Sequence, residues 1–296
     1  VELGISAGAS IEADLQTQRA DAPQRAVTAH ILALADQAGY GAALIDAAAG
    51  SGGAVVITWP QFARMVRAAA RGLSRRGLRE ADTAGIFVED AVSHVVAVHA
   101  VRAAGAIAAP VRPARAADIA AQLKQGRARL LITSAGLAEL AIQAAERSWV
   151  RQVFAFGEAE GTTPFGSLLH TARHGQHQAN GSVGHNGHSG SNGHTAAQGL
   201  DLAGLGLDGP GLDGPGLDGP ASGLTGRDVV VAAPPCGDPD AYTSLLDVAL
   251  AAGATIVAAP LPQVTAAVGF YKGTAAIVPR GTNVPGLPRE RVFAVD

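Results

Sequence analysis

The sequence predicts an α/β fold, a doubly wound and mostly parallel sheet, on three observations. Short apolar runs rich in valine, isoleucine and alanine alternate with single helical segments over residues 28–169 and again over 227–296. Glycine follows several of the helices just before the next apolar run, as at Gly77, Gly105 and Gly253, where a residue tolerant of positive φ closes a helix. The strands are apolar along their whole length instead of alternating, as in a sheet covered on both faces.

Thr28–Gln37 reads as a helix, followed by strands at Ala42–Asp46 and Ala54–Thr58. Thr58-Trp59-Pro60-Gln61 is a capping box: a threonine oxygen faces the orphan amides, a glutamine follows three residues on, and proline is tolerated in the first turn. The helix behind it carries Phe62, Val66, Ala69 and Leu73 on one stripe and stops at Gly77. A strand at Ala84–Val88 leads to a helix over Ala91–Ala104 with valine on several faces, which predicts burial all round. The alternation continues with strands at Ala106–Val111, Arg129–Thr133 and Gln152–Phe156, and helices at Ala116–Gln125 and Ala135–Glu146. It resumes with strands at Asp228–Ala233, Thr255–Ala259 and Ala275–Val278, and helices at Ala241–Ala252 and Gln263–Tyr271.

These runs divide the chain into four parts: a leader (1–27), a first α/β segment (28–169), a low-complexity linker (170–226) and a second α/β segment (227–296). A parallel sheet must be covered on both faces, so the short second segment is expected to complete the sheet of the first. The linker holds six of the nine histidines and a Leu-Asp-Gly-Pro repeat of period five. Its glycines alternate spacings of three and two, which excludes a collagen helix. With few large apolar side chains to offset ordering entropy, it is expected to be disordered.

The chain has 296 residues, 48% of them apolar, which is ample for a core. A net charge of −3 with both signs dispersed leaves no electrostatic footprint for nucleic acid or an anionic membrane. No stretch reaches the ~18 apolar residues of a spanning helix, and the start lacks a basic run followed by an apolar one. The single cysteine, Cys236, excludes an internal disulfide framework, so a cytoplasmic location is expected.

Two literal motifs carry no chemistry. Gly4-Ile5-Ser6-Ala7-Gly8 fits a nucleophile elbow but lacks the strand before it and the helix after it. Gly204-Leu205-Gly206-Leu207-Asp208-Gly209 fits a dinucleotide fingerprint but lies in the repeat and runs into Pro210. The linker histidines 170, 174, 177, 185, 188 and 194 could hold a transition metal loosely, but a Gly/Ser/Asn tract supplies no fixed geometry. His94 and His99 are five apart and do not share a helix face as ligands at i, i+4 would, so they read as helix-packed or surface residues. Cys236 has no persuasive base for nucleophilic work. No catalytic, cofactor-binding or metal-ligating residue is therefore assigned.

The longest signal is an order of matched stretches. It comprises Ala43-Leu44-Ile45-Asp46; Thr58-Trp59-Pro60-Gln61-Phe62 with Arg71-Gly72-Leu73 and Arg76-Gly77-Leu78; and Val101-Arg102-Ala103-Ala104-Gly105-Ala106 running to Pro113. Ala128-Arg129-Leu130-Leu131-Ile132-Thr133, Gly157-Glu158-Ala159-Glu160-Gly161, Asp228-Val229-Val230 and Leu250–Val257 complete it. This order resembles the N-terminal region of the adenylate-forming superfamily, the acyl- and aryl-CoA ligases of 4-coumarate type, luciferases and adenylation domains. The resemblance implies a scaffold whose chemistry activates a carboxylate with ATP and Mg²⁺ and passes the acyl group to CoA.

The family's Ser/Thr/Gly-rich phosphate loop ending near a lysine would fall in residues 170–226, which contain no lysine. The family's aromatic-His segment would fall near Pro234–Tyr242, which contains no histidine. Of the two lysines, Lys124 and Lys272, neither matches a functional position of the family. The family's later motifs would lie beyond Asp296, so a truncated N-terminal region is expected. The sequence thus leads to a degenerate AMP-binding, acyl-CoA-synthetase-like protein without catalysis, with no ATP, Mg²⁺ or CoA bound. It would act as a binding or regulatory subunit, as a homo-oligomer or in complex with a ligase or biosynthetic assembly. The alternatives are an acid-CoA ligase activity completed by another chain, and a decaying remnant.

Overall fold

The computed structural model describes residues 23–47, 53–170, 223–235 and 237–296. The first helix, α1, runs over 23–37 and so takes in residues the sequence reading gave to the leader. Gln24 and Arg25 tie its start to the body of the protein, through Arg102 and Glu80 respectively. Strands β1 (Ala42–Asp46) and β2 (Val55–Thr58) follow as an antiparallel pair. Helix α2 (Trp59–Arg75) starts where the capping box places it: the Gln61 side chain folds back and accepts from the Thr58 amide at 2.8 Å. Phe62, Val66, Ala69 and Leu73 are all buried, and a side chain the size of Phe62 contributes roughly 1.5–3 kcal/mol by leaving water. A Cβ at Gly72 would come within 2.8 Å of the Leu168 Cα, so only glycine lets the 165–168 turn lie against this helix.

Next come β3 (Thr83–Phe87), α3 (Ala91–Ala103), β4 (Ile107–Pro110), α4 (Ala116–Gln125), β5 (Ala128–Ser134), α5 (Ala138–Glu146), β6 (Gln152–Phe156) and the short β7 (Thr163–Pro164). After the linker the chain forms β8 (Val229–Ala232), α6 (Pro239–Ala251), β9 (Thr255–Ala258), α7 (Val264–Phe270), β10 (Ala275–Pro279) and β11 (Val292–Val295).

The fold is α/β with mostly parallel sheets, but the single sheet expected from sequence is two. One has the order β11-β10-β8-β9-β1-β2 and the other β4-β3-β5-β6-β7. The second segment thus pairs with β1, Ile45 facing Val257 in parallel register, while the strands of residues 83–164 make a sheet of their own. The physical reason lies in the middle layer. Helices α1, α2, α3 and α6 share one apolar cluster with Leu44, Val230 and Ile256 of the first sheet and with Ile86, Leu130 and Ile132 of the second. Each sheet then covers its outer face separately, the first with α7 and the second with α4 and α5. Helix α3 therefore meets apolar neighbours in every direction, and eleven of its thirteen residues are buried.

The linker is narrower than expected, because Leu224 is buried and Thr225 is bonded. Asp228 gathers the returning chain. Its carboxylate accepts from the Thr225 amide (2.6 Å) and hydroxyl (2.9 Å), from the Thr274 hydroxyl (2.7 Å) and from Arg291 (3.4 Å). At the other end of the break, the His170 carbonyl accepts from Arg75 at 3.2 Å. The other linker histidines and both literal motifs lie outside the described residues.

Candidate functional site

Open parallel sheets bind ligands beyond the carboxyl ends of their strands, where the strand order reverses. Here the order reverses twice. The chain leaves β3 for β4 on one side and returns to β5 on the other; it leaves β8 for β9 and returns to β10 in the same way. The two switch points are the turns from β3 into α3 and from β8 into α6.

Both helix starts are occupied by the protein's own acids. The Asp90 carboxylate accepts from the Ser93 amide at 2.7 Å, and Asp238 accepts from the amides of Asp240 (3.0 Å) and Ala241 (3.3 Å). These are N-caps, and they use the donors that would otherwise face an anion. Burial, then the neighbouring Asp238, pushes the Asp240 carboxyl above its ordinary range. Arg112 and Arg102 partly offset this charge, and Arg112, just past β4, lies 3.5 Å from Asp238 and bridges the carboxyl edges of the two sheets. Both partners are exposed, so the pair is weak.

The region Pro234–Tyr242, where the resemblance would place an aromatic-His segment, folds as this acid-capped turn. Cys236 lies outside the described residues. Tyr242 at its end is fully buried and donates from its hydroxyl to the Ala233 carbonyl at 2.6 Å, binding the turn to the end of β8. Lys124 is exposed in the last turn of α4, and Lys272 is exposed just past α7 at a φ of 53°. Neither belongs to a switch point. The described residues around these turns present carboxylates and filled caps. No group of three or more histidine, cysteine or acidic side chains suited to a metal occurs among the described residues.

The two histidines singled out in the sequence are packed in the middle layer. His94 shares a 2.8 Å bond with the Thr243 hydroxyl, which itself donates to the Pro239 carbonyl at 2.7 Å. Thr243 therefore accepts from His94, whose proton must sit on Nε2. The Tyr242 ring stands edge-on to His94, and Phe62 stands edge-on to His99. His99 Nδ1 bonds to the Thr28 hydroxyl at 2.9 Å, while Nε2 faces Asp247 at 3.5 Å without a hydrogen bond. Arg102, one turn on, donates to Asp247 at 2.7 Å and to Gln24 at 3.1 Å.

Burial, reinforced by the Arg102 charge, lowers both histidines from 6.5 to about 3, so both are neutral at pH 7. Burial raises the Asp247 carboxyl, opposed by Arg102. The two histidines are sealed from solvent, and the cluster holds α1, α3 and α6 together. Sequence reading passed over Arg102, Thr243 and Asp247. Their signal was the four-residue spacing of Thr243 and Asp247 on one face of an otherwise apolar helix.

Residues 35–179 match the family model for AMP-binding enzymes. That segment, just under half of the chain, is what resembles the AMP-binding enzymes. Similar solved structures include a long-chain-fatty-acid-CoA ligase, FadD1, from Archaeoglobus fulgidus, with 17% identity and a TM-score of 0.59 over 86% of this chain and 51% of that one. MbtA of Mycobacterium smegmatis in its apo form gives 20% and 0.61 over 86% and 48%. A benzoate CoA ligase from Burkholderia xenovorans gives 20% and 0.59 over 90% and 54%. At these identities the likeness is one of fold, and the chain spans about half the length of each. No curated protein sequence matches it. Among the described residues, no helix is long and apolar enough to cross a membrane.

Proposed function

We propose that this protein is a non-catalytic AMP-binding, acyl-CoA-synthetase-like scaffold that acts as a binding or regulatory subunit in the cytoplasm. The observation that carries this reading is the chemistry of the two switch points, where Asp90 and Asp238 already cap the helices that would receive an anion. The absence of lysine from residues 170–226 points the same way. Neither ATP, Mg²⁺ nor CoA is a resident cofactor in this reading. Its partner is a second copy or a complete ligase, met through residues 228–296, where Phe270 is 72% exposed.

Calorimetry of the full chain with ATP and Mg²⁺ tests the proposal: no saturable heat is expected at micromolar nucleotide. Saturable micromolar binding would instead favour the second reading, an acid-CoA ligase activity completed by another chain. That alternative draws on the ligases among its structural neighbours, of which it spans about half. Light scattering, expected above the 29.6 kDa of one chain, tests association; a stable monomer at tens of micromolar would remove the subunit reading.

A further inference from the structure

At the opposite end of the middle-layer helices from the switch points, a groove of about 690 Å³ opens between α1, the second half of α2 and the end of α3. Its size is that of a small-molecule site. Five arginines from three helices line it: Arg25 from α1, Arg67, Arg71 and Arg75 from α2, and Arg102 from α3. The three on α2 recur every four residues, so they rise along one face of the helix. Three of the five have carboxylate partners: Arg25 meets Glu80 at 3.0 Å, Arg67 grips Asp36 with two bonds of 2.7 and 2.6 Å, and Arg102 meets Asp247 at 2.7 Å.

Among the described residues the other two have no acidic partner: Arg71 meets no carboxylate, and Arg75 donates to a neutral carbonyl, that of His170. Helix C-termini account for part of this charge, since Arg75 and Arg102 end α2 and α3. They do not account for Arg71, nor for the Nε of Arg102. That residue is only 5% exposed, and its Nε is buried without a hydrogen-bond partner. A buried donor left unmade is costly, and this one belongs to a side chain lining the groove. Leu32 and Ala70 add an apolar wall.

We propose that this groove binds a small organic phosphate. Its phosphate oxygens engage Arg71 and Arg75, in the fork geometry that suits guanidinium groups, and its carbon framework lies on the apolar wall. The site is separate from the switch points and does not depend on whether the chain adenylates a carboxylate.

The test is calorimetry of the full chain at low salt with inorganic pyrophosphate as probe, beside Arg71→Gln/Arg75→Gln and Asp238→Asn. Saturable binding at one site per chain is expected, weakened about tenfold or more by the double substitution and unchanged by Asp238→Asn. The melting temperature of the double variant should match wild type, because neither arginine holds a described carboxylate. Absence of saturable binding would overturn the proposal, as would affinity that ignores the double substitution. A parallel arm sediments the protein with phosphatidylglycerol vesicles. A groove floored by Arg102 admits a free anion and not a membrane surface, so no co-sedimentation is expected; vesicle binding lost in the double variant, without pyrophosphate binding, would also refute it.

Discussion

The stretch from β3 to β6 and the stretch from β8 to β11 wind alike. Each begins on a strand flanked by its second and third, giving β4-β3-β5-β6 in one sheet and β9-β8-β10-β11 in the other. In each, the first crossover helix lies in the shared middle layer and the second covers the outside. Each first helix starts on an aspartate cap, Asp90 and Asp238. The reason is the handedness of parallel crossovers, which sends the helix to opposite faces when the chain reverses direction across the sheet.

They differ in self-sufficiency. The first stretch has a helix at every crossover, and its outer face is covered by α4 and α5 of ten and nine residues. The second has only the seven-residue α7 on its outer face, and the loop carrying Val284 and Leu287 fills the place of another helix. It also draws β1 and β2 from far earlier in the chain, so its sheet closes only through long-range pairing, which forms slowly. The same winding thus appears once as a local unit and once as a composite.

The seam between them is the contact of α3 with α6, and the largest effect is expected there. Asp247→Ala leaves Arg102 buried without its carboxylate and should cost roughly 3–5 kcal/mol in chemical denaturation. If the seam needs matched groups more than charge, Arg102→Met with Asp247→Leu should recover most of that loss. A double variant no better than Asp247→Ala would show that the ion pair itself specifies the docking.

Acid should act on the same seam. His94 and His99 titrate near 3 when folded, against an ordinary 6.5, so the unfolded chain takes up protons first as pH falls. Their contribution is complete above pH 6.5 and is lost toward pH 3, with a slope approaching ~1.4 kcal/mol per pH unit for each histidine. Asp247 has the opposite sign, because its raised carboxyl favours folding on protonation, but it is one group against two. Urea midpoints measured from pH 7 to 4 should therefore fall, and His94→Gln with His99→Gln should flatten the curve. A wild-type midpoint independent of pH would mean that the histidines are hydrated.

The smallest effect concerns the connection between the two units. Replacing residues 171–222 by a Gly/Ser linker long enough to join the same ends should leave the melting temperature within a few degrees, since closure entropy changes only logarithmically with length. Loss of the cooperative transition would make that tract structural.

Local pattern made much of this readable. The capping box at Thr58 placed the start of α2, and valine on several faces of Ala91–Ala104 announced a helix enclosed on all sides. The division into two sheets was hidden because Val230, Ile256 and Ile86 are equally apolar; a short buried strand records that it is covered and not which strand it pairs with. Strand β11 was missed for a related reason, since Val292–Val295 is only four residues long and Ala294 is exposed. The polar seam was illegible for a different one. Thr243 and Asp247 resemble a solvated helix face until α3 is known to lie opposite.

The anchoring of Asp228 has a further consequence. Its four bonds fix the point of return within the second unit, while Arg75 holds the His170 carbonyl on the first. The described pieces are interlocked by β1 pairing with β9 and by α3 packing on α6. Were the replacement of residues 171–222 to leave the transition cooperative, covalent continuity there would serve as delivery, supplying the second unit at high local concentration.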